Sequence, residues 1–206
     1  MAVAGSTESA AASRPLSAAD WVRAAMTAIV EGGIAGVAVE PLAVRLGATK
    51  GSFYHHFANR DALIAAALED WERAQTEAVI ERLELIADPS ARLRAVTAAA
   101  LADRAGGVRD AALLASASHP LVGPVVERVT ARRLRYLTDM YVALGLSRPR
   151  AGRRALLLYS SYLGLFGYLR AGLGGDQDER ERRAYADELL SVLIPGDPAP
   201  PRPRRP

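Results

Sequence analysis

The chain contains no cysteine. Disulfides, cysteine-ligated zinc and a cysteine nucleophile are therefore excluded, which fits a reducing compartment. Aromatic residues are scarce, at 6% of the chain, although 50% of it is hydrophobic. Alanine, leucine and arginine dominate instead, which favours helix over strand. No segment alternates polar and apolar residues over a useful strand length, and "GVAV" at 36–39 is too short to count. No internal repeat is visible. The first sixteen residues, "MAVAGSTESAAASRPL", have neither a basic start nor an apolar stretch, so no secretory signal is expected. Long hydrophobic runs are missing too. The longest candidate, "ALLLYSSYLGLFGYL" at 155–169, falls short of the roughly 20 residues a membrane span needs. Arg154 and Arg170 bracket it, and a buried helix is the expectation.

The last scarcity is of lysine. Lys50 is the only one among 26 cationic side chains. It stands in "GATKGSFYHHF", residues 47–57, with two of the chain's three histidines. Net charge over 206 residues is only +3, a weak hint of any acidic partner. Between 17 and 63 four acids cancel four bases, yet Arg45 to Arg60 holds three bases, two histidines and no acid. The basic character is local.

The length allows one or two small domains, and the punctuation predicts an all-α chain of about nine helices. Residues 1–14, small and polar, read as a disordered arm. "PGDPAPPRPRRP" at 195–206 reads as a solvated Pro/Arg-rich tail. Ser17 with Asp20 three residues on reads as a capping box. The helix it opens places Trp21, Ala25 and Ile29 on one face and stops at Gly32-Gly33. A short helix is expected from Val39 to Leu46, ended by Gly47. Thr49 and Asn59 are good N-caps for a third helix and a long fourth that ends before Pro89. Further helices are expected near 90–105, 108–117, 121–145, 149–172 and 177–194. Their breaks fall at Gly106-Gly107, His119-Pro120, Gly145 to Pro149 and Gly172 to Gly175.

The segment 38–57 has the size of a helix-turn-helix with glycine in the turn. At about 100° per residue, Phe53 and Phe57 fall on one side of the third helix. Together with Leu42 and Leu46 they are expected to form the motif's core. Gly51 and His55 face the opposite way, flanked by Ser52 and Tyr54, with Lys50 and His56 at the margins. Such a face offers hydrogen-bonding tips, one basic head and a gap at Gly51, which suits the major groove. Adjacent histidines on a helix point about 100° apart, so the pair is a poor metal site. No metal site, cofactor or catalytic constellation is expected. His119 beside Pro120 reads as a loop or cap rather than a base.

"VEPLAVRLGATKGSFYHHFANRDALIAAAL" closely resembles the DNA-binding motif of TetR-family transcriptional regulators. The likeness covers roughly residues 15–75 and implies a three-helix DNA-binding domain there. A helical ligand-binding and dimerisation domain would follow at 76–194. By that resemblance Thr49, Lys50, Gly51, Ser52, Tyr54 and His55 lie where the family meets bases or adjacent backbone. His56 and Arg60 lie where it grips phosphate. Ala38 departs from the family's usual threonine at the start of the second helix and can neither cap nor bind phosphate. The resemblance also implies a homodimer built on the last two long helices. It implies a double-stranded palindromic operator, a small-molecule effector, cytoplasmic location and no membrane partner. The reading is a ligand-responsive repressor and no enzyme; the alternative is a ligand-binding or interaction protein on the same fold without operator binding. Tyr136, Met140, Tyr159, Tyr162 and Phe166 lie on helices expected to line an effector pocket, though core packing is the plainer role for each.

Overall fold

The computed structural model describes residues 16–173 and 178–194, and the arm at 1–14 and the tail at 195–206 lie outside them. The described chain is helical throughout, with no strand among these residues. Helix α1 (Ala18–Gly32) opens as expected: the Asp20 carboxylate accepts from the Ser17 amide at 2.8 Å and from its hydroxyl at 2.7 Å. It ends at Gly33, whose φ of 66° is open to glycine but whose ψ of −168° leads into extended chain rather than a left-handed cap. A single 3-10 turn, Ile34–Gly36, follows. Gly36 sits so close to α1 that a Cβ would lie 2.9 Å from the Ala28 carbonyl oxygen.

Helices α2 (Val39–Leu46) and α3 (Lys50–His56) are joined through Gly47, which takes the left-handed conformation at φ 61°, ψ 32°. Asn59 caps α4 (Arg60–Glu72) by accepting from the Ala62 amide at 2.8 Å. The long fourth helix of the sequence reading is not uniform. A π turn over Arg73–Glu77 separates α4 from α5 (Ala78–Glu84).

The body continues with α6 (Pro89–Ala102), α7 (Arg104–Ala115), α8 (Gly123–Ala143), α9 (Arg148–Arg170) and α10 (Glu179–Leu193). The expected break at Gly106-Gly107 is corrected: both glycines lie inside α7. The chain turns earlier, at Asp103, whose carboxylate caps α7 by accepting from the Gly106 amide at 2.9 Å. Gly107 serves packing instead, because a Cβ there would stand 2.2 Å from the Phe166 ring.

Among the described residues three apolar clusters hold the helices together. The first joins α1 to α4 around Trp21, Phe53, Leu63 and Leu68, and it also takes in Leu113, Val122 and Val129 of the body. The second fills the body around Leu93, Tyr141, Ala155 and Leu158. The third, smaller, packs Leu101, Phe166 and Ala186 together. The N-terminal helices thus share their core with the body, so a shift in α7 or α8 is felt where α4 sits. Among the described residues no helix is long and apolar enough to cross a membrane.

Candidate DNA-reading face and effector cavity

Helix α3 is short and is fixed by what it buries. Phe53 is fully buried and meets Trp21 edge-on at 5.4 Å between ring centroids. Phe57 stacks on Phe53 at 5.9 Å and is half-buried, as is Leu46, while Leu42 is buried. Thr49 caps the helix, its hydroxyl accepting from the Ser52 amide at 3.2 Å. With the inner side pinned, the outer side is set. Thr49, Lys50, Gly51, Tyr54 and His55 are exposed, and Ser52 is half-buried at the edge. Ala38 stands at the N-cap of α2 and makes no side-chain cap.

Two residues assigned by resemblance to phosphate are engaged inward. His56 Nε2 donates to the Leu16 carbonyl at 3.0 Å. Arg60 donates from Nε to the Val37 carbonyl and from a terminal nitrogen to the Ile34 carbonyl, each at 2.5 Å. These bonds clamp the start of α4 to the turn before α2. The acid-free stretch also acquires acids from its neighbours. Lys50 pairs with Glu40, Arg45 with Glu31 at 2.7 Å and Arg60 with Asp61 at 3.5 Å. The Lys50–Glu40 bond raises the pKa of the ammonium and lowers that of the carboxyl, through the hydrogen bond first and the charge attraction second.

Behind α4 the body holds a partly open cavity of about 350 Å³, walled mainly by Val79, Leu83, Val96, Leu137, Leu158 and Leu189. That volume sits near the small end of the range for small-molecule sites. Tyr136, Tyr159 and Tyr162 line it, as placed by the sequence reading. Met140 and Phe166 do not: both are buried in the apolar clusters, Phe166 held against Gly107. Their side chains sit on faces of α8 and α9 that meet other helices rather than the void.

One polar cluster is set into the apolar wall. Asp110 of α7 and Arg133 of α8 form an ion pair at 2.5 Å, their side chains only 6% and 14% exposed. Asp110 also accepts from the Trp71 indole at 2.8 Å and the Tyr162 hydroxyl at 3.0 Å. Arg133 lies over the Trp71 ring at 5.4 Å and reaches the π turn, donating to the Thr76 hydroxyl at 3.0 Å and the Gln75 carbonyl at 3.2 Å. Burial raises the Tyr162 pKa well above the usual phenol range, and the negative charge of Asp110 adds to it. This cluster was not foreseen. Its one sequence signal is Asp110 itself, an acid on the side of α7 that also carries Gly107 and Leu113.

Among the described residues no group of three or more histidine, aspartate or glutamate side chains is placed to hold a metal ion. A helix-turn-helix with an exposed outer face thus shares its core with a helical body that carries a cavity. Residues 22–67 match the description "Bacterial regulatory proteins, tetR family". The chain is 29% identical over 190 residues to the HTH-type transcriptional regulator BetI of Burkholderia cenocepacia, covering 89% of this chain and 97% of that one. It superposes on a TetR-family transcriptional regulator from Agrobacterium tumefaciens with a TM-score of 0.71 at 20% identity, covering 86% and 97% of the two chains. It also superposes on AibR, solved with isovaleryl coenzyme A and operator DNA, with a TM-score of 0.65 at 22% identity, covering 86% and 98%. The match over residues 22–67 and the likenesses over most of the chain support a TetR-family transcriptional regulator.

Proposed function

We propose that this chain is a ligand-responsive homodimeric repressor that acts on DNA in the cytoplasm. The outer face of α3 carries the reading: a helix pinned by Phe53 that presents Lys50, Gly51, Tyr54 and His55 outward with no bulky aliphatic group between them. Two copies would set these helices in successive major grooves of a palindromic operator, about 34–36 Å apart. Residues 15–75 would serve as the DNA-binding domain and 76–194 as the effector and dimer domain. The dimer surface would be α9 and α10, where Leu156, Leu157, Tyr168, Tyr185 and Val192 are exposed. The cavity behind α4 would hold the effector, with Tyr136, Tyr159 and Tyr162 in its wall. Occupancy that fits the non-binding state better would release the operator by differential affinity alone. AibR, solved with isovaleryl coenzyme A and operator DNA, supports a small-molecule effector in this body, although a whole coenzyme A thioester is larger than a cavity of about 350 Å³.

The test is a mobility shift with DNA flanking the chain's own gene, using the parent protein and Gly51→Leu. Retardation by the parent, competed by the same duplex and lost in the variant, is the expected result. A parent that binds no flanking duplex better than random DNA would remove the repressor reading.

A further inference from the structure

The Asp110–Arg133 cluster restricts what the cavity can take. Both Asp110 oxygens are occupied: one accepts from Trp71, the other from Arg133 and Tyr162. A carboxylate has about four acceptor positions, so one is left on Asp110, but its charge is balanced by Arg133 and a cationic head would leave one net buried charge. The charge of Arg133 is already balanced by Asp110 at 2.5 Å, so an anionic head would leave one net buried charge, which apolar walls disfavour strongly. Arg82 and Asp103 also line the cavity but are exposed, and at the buried pair donor capacity is the larger remainder. A guanidinium carries five N–H bonds, and three of Arg133's are spent, on Thr76, Asp110 and Gln75.

We propose that the cavity selects a neutral, largely apolar molecule with a hydrogen-bond acceptor, such as a ketone or ester carbonyl, and that Arg133 holds this acceptor in competition with the π turn. The inference rests on the reading of the cavity as the effector site. Of Arg133's three bonds, that to the Gln75 carbonyl is the longest, at 3.2 Å, and is the one a ligand carbonyl exchanges most readily. The π turn carries one residue more than an α-helical turn, and such turns sit frequently at functional sites. Once Gln75 loses its outside partner, one bond that holds the turn in its π form is gone and closure into α-helical register becomes easier. That closure adds one residue's rise, about 1.5 Å, between α5 and α4, to be taken up as a shift of α4 together with the core it is packed in. Leu63, Ile64 and Leu68 of α4 are wholly buried in the core that also holds Phe53, so the displacement reaches α3.

The test uses the full chain and three probes of one length, 2-octanone, octanoate and octylamine, titrated by calorimetry. The ketone is expected to bind and both ions to bind at least about tenfold more weakly. The variant D110N/R133M removes both charges together, and R133K keeps a cation for Asp110 but loses the planar fork. Each is expected to weaken the ketone about tenfold, the size of one hydrogen bond to a charged donor. Ala100→Trp fills the cavity from a lining position and should abolish binding. Hydrogen exchange over residues 70–80 should slow when the ketone is present. Binding of either ion in place of the ketone, or equal ketone binding by a folded D110N/R133M or R133K, overturns the proposal, and loss of the bound probe in Ala100→Trp then keeps the cavity reading; binding of no probe overturns both. Exchange over 70–80 that ignores the ketone overturns the π-turn coupling. Unchanged ketone binding by Ala100→Trp overturns the cavity reading itself.

Discussion

Gly51 stands in the first turn of α3, exposed, and a Cβ there would meet only the Thr49 hydroxyl, at 3.6 Å. That is ordinary contact, so the position tolerates a side chain in the free protein. Leucine is also the better helix former by roughly 0.7–1 kcal/mol. Gly51→Leu is therefore expected to keep or raise the melting temperature while abolishing operator retardation, and the two measurements together separate folding from groove access. Tyr162 gives the second residue-scale prediction. Its hydroxyl donates to a buried carboxylate, so Tyr162→Phe should cost about 1.5–3 kcal/mol at neutral pH, read from urea unfolding. Burial holds both Tyr162 and Tyr136 protonated to higher pH than in the unfolded chain, Tyr136 to about 12. A raised folded pKa contributes stability that is complete below the unfolded value, about 10, and is lost as pH climbs through the folded one. The urea midpoint should therefore fall between about pH 10 and 12, less steeply in Tyr162→Phe.

At the scale of elements, caps were the legible part. Ser17, Thr49 and Asn59 announced their helices, and Gly47 announced the turn, because each acts on backbone within four residues of itself. What was illegible depends on partners far along the chain. The glycine pair at 106–107 imitates a helix stop, yet Gly107 makes room for Phe166 and Gly106 for the capping Asp103 carboxylate. The π turn looks like ordinary helix in sequence, and Arg133, which engages it, lies 58 residues beyond Gln75. The outer face of α3 was readable from periodicity; the inward bonds of His56 and Arg60 were not, since carbonyls of Leu16, Val37 and Ile34 carry no side-chain signal. Helix α9 supplies the prediction here. Gly164 is exposed, no atom lies within 4 Å of where its Cβ would be, and Leu156, Leu157 and Tyr168 around it are exposed as well. An arginine has room there in one copy of the chain. Gly164→Arg should keep its helical content and yet sediment as a monomer where the parent sediments as a dimer. A Gly164→Arg dimer would place the interface elsewhere.

For the whole molecule, the charge pattern sets how DNA affinity responds to salt. Lys50 and Arg45 face outward, while Arg60 and His56 are held by carbonyls. If two copies each bring two outward cations to phosphate, the log–log slope of affinity against salt should be near −4. A slope beyond about −6 would mean that Arg60 releases the turn before α2 and joins the backbone contacts. A slope near zero would remove phosphate contact from the account altogether.

The solitary lysine has a practical consequence. A protease that cuts only after lysine has one address in this chain, the Lys50–Gly51 bond, inside the helix assigned to the groove. Cleavage there would leave two pieces, 1–50 and 51–206, and no others. The time taken for the parent band to split on a gel then becomes a clock for that helix alone. A duplex seated on α3 should stop the clock. A ligand that ejects the duplex should restart it, and no label, engineered residue or knowledge of the operator sequence is needed to watch either happen.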